Sequence, residues 1–438
     1  MLKTFYCTFI VLFFVGIGSL CPVYSAPETA SVQLWTKKLP GQPPIVESDK
    51  EQISKIKGQM ALVTTHQIAD IDSGKPADFF INLFQQPKNK GNLYSIRNYR
   101  IIHDRTNWVF DPQFSPDGTK VLFKDGWPWD DYGYYRLYIL NPKTGKLHSG
   151  PSKLMSFPIT KWSPDGRYIL FVAGGDIFGG DDNAYYPRTL YVFDTANSQT
   201  YKIDSSPNSK YYFWTKNDTI VYLKGSQVFE SSVNGLRQQL ILSYADKLDV
   251  SPDGNYLFYQ GYKDTEIEKK VITSLNQPLN APGLEVPEPI AESHFCIYDR
   301  KAKKRYLFNQ DLQDAQFIWM NGVSNKVVAL TSTVAFGGGV VTVDTVDFPS
   351  GKTHTIVKLP ALKGEQGFSS DLYAQTQPIA ITKDNKYLIV LRIEQGISQL
   401  NPWHINRYLQ AVSLSDGSVV TILEDANHAW FPVGFDWN

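Results

Sequence analysis

The chain has 438 residues, with 43 basic and 43 acidic side chains and no net formal charge, and it is rich in Gly (31), Pro (26) and aromatic residues (14%). Balanced charge withholds the basic surface that nucleic acid or an anionic membrane would require, so neither is an expected partner. Many turn formers among abundant aromatics suit a soluble all-β domain.

Residues 1–25 read as a secretory signal: Lys3 in a short basic start, an apolar run from Phe9 to Leu20, and Val23-Tyr-Ser25 before Ala26 as a small-residue cleavage site. The run is short and early for a spanning helix. The expected location is periplasmic or secreted, without membrane insertion after cleavage; an uncleaved anchor is the alternative. A lipoprotein reading of Cys21 meets Leu20 where a small residue belongs. Cys7 and Cys21 leave with the signal, so the mature chain keeps Cys296 alone and forms no internal disulfide. Cys296 lies in the alternating run His294 to Tyr298, which predicts a buried thiol rather than a nucleophile. Residues 26–57, Pro-rich and then charged, read as a linker with a short helix from Asp49 to Lys57, and residues 58–438 as the folded domain.

Gln59 to Thr65, Asn92 to Ile96 and Arg100 to His103 have the form of the second, third and fourth strands of a unit whose first strand is missing. From there the chain repeats. Ser-Pro-Asp-Gly occurs at Ser115 to Gly118, Ser163 to Gly166 and Ser251 to Gly254, each after an apolar residue and before a β-rich run. Pro pre-sets φ, Asp bonds the local backbone and Gly takes the left-handed conformation, so each copy predicts a hairpin turn. The spacings fit one and two units of about 40 to 45 residues, the length of a four-stranded blade. Worn copies fill the gaps at Trp214 to Tyr222, Trp319 to Val327 and Ile381 to Ile389, giving six units over residues 109–423.

A second hairpin follows each first one. Its copies are Leu137 to Gly145, Leu190 to Asp194, Phe295 to Asp299, Val343 to Asp347 and Gln410 to Gly417, with Gln227 to Phe229 the most eroded. Two hairpins make four antiparallel strands, the content of a propeller blade. Phe431 to Trp437 sits where a first strand should follow the sixth unit, and its pairing with the amino-terminal strands would close the ring and remove the exposed edges of an open sheet. Seven blades are expected, with six as the alternative.

This pattern resembles the TolB-like, or PD40, group of WD40-like β-propeller repeats over roughly residues 58–438. The resemblance implies an all-β propeller of four-stranded blades. The chain departs from TolB in having little room for an amino-terminal α/β domain, and from the dipeptidyl-peptidase and prolyl-oligopeptidase relatives in having no hydrolase domain after the propeller. Neither role is carried over.

In a four-stranded meander the first-to-second and third-to-fourth turns share one face, while the second-to-third loops and blade connections share the other. The latter loops are long at 66–91, 125–133, 174–187, 261–292 and 393–406, and long loops on a rigid scaffold are where binding resides. Trp127, Trp129, Asp130, Asp131, Tyr134 and Tyr135 crowd the first blade's loop; Asp181, Asp182, Tyr185 and Tyr186 repeat the mixture in the second; Trp403 and His404 add a third element. Rings with apolar faces and polar tips suit a sugar, peptide or protein surface. The plainer reading packs these rings against the rim and leaves the carboxylates in water.

Asp176, Asp181, Asp182 and Asn183 supply hard oxygen ligands of the kind Ca²⁺ takes, although their spacing matches no defined loop. Asp70 to Gly74 begins like an EF-hand and lacks its later positions. No other cofactor is expected. There is no Gly-x-Ser-x-Gly elbow and no His-Glu-x-x-His helix, and Gly351-Lys-Thr353 reads as a hairpin turn rather than a phosphate loop. His66, His404 and His428 are scattered. The leading expectation is an exported, non-enzymatic propeller binding a protein, peptide or glycan through the aromatic and acidic loops. The alternatives are a carbohydrate-active hydrolase or lyase using carboxylates of that face, and a structural platform in an envelope assembly.

Overall fold

The structure is a computed structural model, and it describes residues 31–35, 56, 59–65, 79–85, 95–102, 108–126, 134–151, 154–155, 159–173, 188–205, 207, 210–216, 218–262, 293–307, 315–332, 340–360, 373–396, 404–425 and 431–437. Among these residues all regular structure is β, and no helix is long and apolar enough to cross a membrane.

Four strands precede the first repeat: β1 (Ser31–Trp35), β2 (Gln59–Thr65), β3 (Phe79–Gln85) and β4 (Ser95–Ile102). Six blades continuous in sequence follow. The first holds β5 (Trp108–Phe114), β6 (Val121–Gly126), β7 (Tyr134–Asn141) and β8 (Lys146–Ser149), with the short β9 (Leu154–Met155) also on β7. The second holds β10 (Thr160–Trp162), β11 (Tyr168–Ala173), β12 (Thr189–Asp194) and β13 (Gln199–Ser205). The third holds β14 (Tyr212–Trp214), β15 (Thr219–Lys224), β16 (Gln227–Ser232) and β17 (Gln238–Leu242). The fourth holds β18 (Leu248–Val250), β19 (Tyr256–Tyr262), β20 (Ser293–Asp299) and β21 (Lys304–Leu307). The fifth holds β22 (Gln316–Trp319), β23 (Lys326–Ser332), β24 (Val341–Asp347) and β25 (Lys352–Leu359), and the sixth β26 (Tyr373–Ile381), β27 (Tyr387–Gly396), β28 (His404–Ser413) and β29 (Val419–Asp425). Every pairing is antiparallel between successive strands, as a meander requires.

A further sheet joins the two ends of the chain. β30 (Phe431–Trp437) pairs antiparallel with β2, Met60 opposite Trp437 and Thr65 opposite Phe431, and the order is β1-β4-β3-β2-β30. β30 lies beside β5 and β26, the inner strands of the first and sixth blades. The expected pairing of the last segment with the amino-terminal strands is therefore the one adopted. The six repeat-built units form six blades, as expected, but the total is six rather than the expected seven, because the sheet drawn from both ends has five strands instead of the four of a seventh blade.

Two further expectations for this sheet are corrected. Its third strand is Phe79–Gln85, and the two short runs expected between Asn92 and His103 are one strand, β4. Phe79-Phe-Ile-Asn-Leu-Phe84 has the apolar density that pairing against two neighbours demands, so the loop expected at 66–91 spans 66–78. The stretch expected to be linker also contains a strand: Ser31–Trp35 pairs with β4 on the sheet's outer side, Val32 opposite Ile101. An outermost strand needs only one partner, and the alternation Ser-Val-Gln-Leu-Trp supplies it. Of the helix expected from Asp49 to Lys57, only Ile56 is described; it is fully buried in a bend, and the rest lies outside the described residues.

Adjacent blades pack through apolar layers. Leu122, Leu137 and Ile139 of the first blade meet Ile169, Phe171 and Phe193 of the second. Leu170, Val172, Leu190 and Val192 of the second meet Tyr212, Trp214, Ile220 and Tyr222 of the third. The same layering continues between the third and fourth, fourth and fifth, and fifth and sixth blades. Strand residues alternate between two buried faces, which is why central strands such as β11, Tyr168-Ile-Leu-Phe-Val-Ala173, read as continuous apolar runs. Cys296 is a fully buried thiol, as expected, and the Arg305 guanidinium donates to its Sγ from Nε at 3.3 Å and Nη2 at 3.2 Å.

The repeated turns carry one hydrogen-bond pattern. In each intact copy the Gly is left-handed, at φ 68, 70 and 73° for Gly118, Gly166 and Gly254. The Asp accepts from the backbone N–H two residues on, at 3.0, 2.9 and 2.9 Å. The Ser does more than its place in the turn motif suggests. Ser115, Ser163 and Ser251 are fully buried, donate to the Asp carboxylate at 2.5, 2.5 and 2.7 Å, and accept the N–H of Lys120, Tyr168 and Tyr256 at 2.9, 2.8 and 2.9 Å. In the sixth blade Thr382 takes the Ser role and Asn385, at φ 56°, the Gly role. The turns also tie blades together. Lys120 Nζ donates to Gly166 O at 3.3 Å, Arg300 bridges Gly254 O and Glu230, and Lys383 Nζ of the sixth blade reaches Pro116 O of the first at 3.1 Å.

Candidate functional site

Strand order divides the connections between two faces. The repeated turns and the third-to-fourth turns, Gly351 at φ 70° among them, share one face. The connections β6 to β7, β11 to β12, β19 to β20, β27 to β28 and β2 to β3 leave from the other. The third blade departs from this pattern, since β15 and β16 are joined only by Gly225 and Ser226.

Most residues expected to bind ligand lie in those connections. Trp127, Trp129, Asp130, Asp131, Asp181, Asp182, Tyr185, Tyr186 and Trp403 lie outside the described residues, as do Asp176, Asn183, His66 and His428. Tyr134 and Tyr135 open β7, their backbones opposite Met155 and Leu154, and His404 opens β28 opposite Gly396. Among the described residues no group of three or more His, Cys, Asp or Glu could hold a metal ion.

A second set of functional candidates, which sequence reasoning missed, lies on the inner strands. The residue two positions before each turn's Ser or its substitute is equivalent from blade to blade: Gln113, Lys161, Phe213, Asp249, Ile318 and Ala380. Their flanking neighbours Tyr212, Trp214, Leu248 and Val250 are buried against the preceding blade, and alternation turns this position to the opposite face, toward the following blade, where Phe213 and Ile318 pack. Indole N–H groups lock the register: Trp214 Nε1 donates to Lys161 O at 3.0 Å, and Trp162 Nε1 to Gln113 O at 3.4 Å.

This repeated position carries one cation, Lys161, and one anion, Asp249. The Lys161 ammonium lies 3.8 Å from the centre of the Phe213 ring and 5.5 Å from that of Tyr212. Its charge is felt by Asp249, two blades away, and the Asp249 carboxylate accepts from Val250 N at 2.7 Å. Burial lowers the Lys161 ammonium to about 8 against the opposing pull of Asp249. Burial likewise raises the Asp249 carboxyl to about 6, against Lys161 and its hydrogen bonds. Both groups are thus charged near neutrality in surroundings that penalise charge, a condition enriched at functional sites. The signal is present in the sequence as two opposite charges at one repeat position, visible only once the units are aligned.

No family model matches the chain, and no curated protein matches it. Solved structures do. TolB from Acinetobacter baumannii is 14% identical over 69% of this chain and 64% of its own, with a TM-score of 0.38. The β-propeller domain of the Trilobed protease from Pyrococcus furiosus is 14% identical over 85% of this chain and 96% of its own, TM-score 0.47. The acylaminoacyl peptidase of Pyrococcus horikoshii is 16% identical over 87% of this chain and 54% of its own, TM-score 0.48. The chain therefore spans less than two thirds of the length of that TolB and about half of that peptidase. The TolB-like propeller fold rests on the sheet topology and the repeated turns.

Proposed function

We propose that this chain is a non-enzymatic binding propeller, exported to the periplasm or secreted, that takes a protein, peptide or glycan on the face carrying the second-to-third loops. The observation that supports this reading most is the inequality of the two faces. On one, the repeated turns bond internally and tie neighbouring blades, leaving little side chain free for a partner. On the other, connections such as 174–188 and 263–292 are far longer than joining two antiparallel strands needs. The aromatic and acidic residues of 127–135 and 181–186 fall within or beside these connections.

The test is substitution of Trp127, Trp129 and Tyr186 by Ala in the mature chain, with folding checked by circular dichroism and ligand capture from a glycan panel and an envelope-protein extract compared with the wild type. Capture by the wild type that the folded triple variant loses supports the proposal. Capture unchanged by the variant removes the loop face as the site. Release of reducing ends or unsaturated products from the glycan panel would replace binding by catalysis.

A further inference from the structure

We propose that the outer rim of the third and fourth blades, on the face of the repeated turns, docks the protein onto an anionic phospholipid bilayer, with Leu236 in the headgroup layer and Lys301, Lys303 and Lys304 on the phosphates. This contact is separate from the loop face, which it leaves turned away from the lipid.

Apolar and basic side chains coincide on this rim. Among the described residues five large apolar side chains are exposed, and three of them, Leu236, Leu240 and Leu307, lie in β17, in β21 or in the turn before β17. Leu236, in that turn, is 81% exposed. The same stretches are basic: five of the six residues from Arg300 to Arg305 are Lys or Arg, Arg237 follows Leu236, and neither 231–242 nor 300–307 contains an acidic residue. A direct bond joins the two stretches. Arg300 Nη2 meets Glu230 Oε2 at 2.9 Å, Glu230 lies opposite Gln239 of β17, and Arg300 opens the turn that carries the lysines.

The neutrality of the whole chain does not hold here. The adjoining carboxylates are engaged, Glu230 by Arg300 and Asp299 by the N–H groups of Lys301 and Ala302, both at 2.9 Å. Lys301, Lys303 and Lys304 are exposed, and among the described residues no carboxylate lies within 4.0 Å of their ammonium groups. Lys304 lies over the Tyr306 ring, 4.9 Å from its centre. The first, fifth and sixth blades place a left-handed glycine, Gly145, Gly351 or Gly417, where the fourth keeps Lys303 at φ 49°. A charge is thus retained at a position whose backbone favours Gly.

Composition selects the occupant. A second copy seated here by a two-fold axis would set lysine against lysine. A soluble polyanion would use the lysines and leave Leu236 in water. An anionic bilayer takes both, with phosphates for the ammonium groups and an apolar boundary for the leucine at the turn tip.

The test is co-sedimentation of the mature chain with vesicles of phosphatidylcholine alone and of phosphatidylcholine mixed equally with phosphatidylglycerol. The mixed vesicles should bind at least tenfold more tightly than the neutral ones. Combining Lys301→Gln, Lys303→Asn and Lys304→Gln should weaken that binding tenfold or more, at about fivefold per lysine. Asn is chosen at 303 because it accepts the left-handed backbone. Leu236→Ser should weaken binding severalfold, whereas the triple Ala variant of Trp127, Trp129 and Tyr186 should bind as the wild type does. Equal binding to both kinds of vesicle, binding to neither, or loss of binding in the loop variant would overturn the proposal. So would a Leu236→Ser chain that binds as the wild type does, since that result assigns the lysines to a soluble polyanion or an acidic protein. The exchanged rim side chains are exposed, and circular dichroism confirms that the variants fold.

Discussion

Lys161 stands on the face of Phe213 with its ammonium 3.8 Å from the ring centre, so the cation of one blade is seated on the aromatic ring of the next. Burial lowers that ammonium to about 8, so Lys161 is still charged at neutral pH. The energetic consequence depends on pH. Asp249 titrates higher in the folded chain than its ordinary 3.8, so its cost is absent below that value, grows with rising pH and is complete above about 6. Lys161 titrates lower than its ordinary 10.5, so its cost is complete below about 8 and gone above 10.5. The costs overlap between pH 6 and 8. The stability difference between wild type and the Lys161→Met, Asp249→Asn double variant, from urea melts between pH 4 and 10, should be largest in that window. A flat difference would contradict the assignment.

The single variants should behave unlike the double. Lys161→Met removes the cost of the Lys161 charge together with its pull on Asp249, so the Asp249 carboxyl should titrate higher in that variant than in the wild type. At pH 7 each single variant should melt below the double variant, and a thermodynamic cycle should give a coupling on the order of 1 kcal/mol or more. Additive effects would show that the two charges do not interact.

The buried turn serines make a separate prediction. Ser163→Ala removes the acceptor of the Tyr168 N–H and the donor to Asp165 while leaving Pro164 and Gly166 in place. An orphaned buried donor costs about 1–3 kcal/mol. Ser163→Thr, which copies Thr382 of the sixth blade, should recover most of the loss. Chemical denaturation of both variants checks this, and an Ala variant as stable as the wild type would rule the network out as a source of stability.

Two left-handed glycines of the third blade separate conformational strain from crowding. Gly225, at φ 55°, has open space where a Cβ would go, so Gly225→Ala should cost only the conformational term of about 1–2 kcal/mol. Gly235, at φ 72°, would place a Cβ 2.6 Å from Lys202 O of the second blade. Gly235→Ala should therefore be clearly the more damaging of the two in thermal melts, because backbone on both sides must shift. Equal losses would mean that the two blades are not held in contact there.

Deleting residues 431–437 should leave β2 with an unpaired inner edge between β5 and β26. Exposed edges recruit other strands. The truncated chain is expected to self-associate in size-exclusion chromatography at concentrations where the full chain does not.

Much of the architecture was legible because Ser-Pro-Asp-Gly is a local instruction: a Pro, an Asp and a left-handed Gly specify a turn whatever surrounds them. Phe79–Gln85 is hidden from sequence for the opposite reason. It has no turn signal of its own and is a strand because β2 and β4 flank it, a fact belonging to the pairing rather than to the segment. Ser31–Trp35 likewise joins a partner far along the chain, with a Pro-rich composition around it pointing toward a linker. Of the expected site, Tyr134, Tyr135 and His404 fall at strand starts. Lys161 and Asp249 escape a linear reading because each is an ordinary residue in its own segment, and the repeat position they share shows only when the blades are aligned.

The sheet that draws strands from both ends sets an order on the molecule's manufacture. β2 to β4 are synthesised early, yet the inner partner of β2 appears only when residues 431–437 emerge. Through that interval six successive blades can form one after another, each from its own stretch of chain, while the first-made strands wait with an edge uncovered. The molecule thereby records whether its own translation ran to β30: a prematurely stopped product carries the uncovered edge as a mark that chaperones and proteases can read.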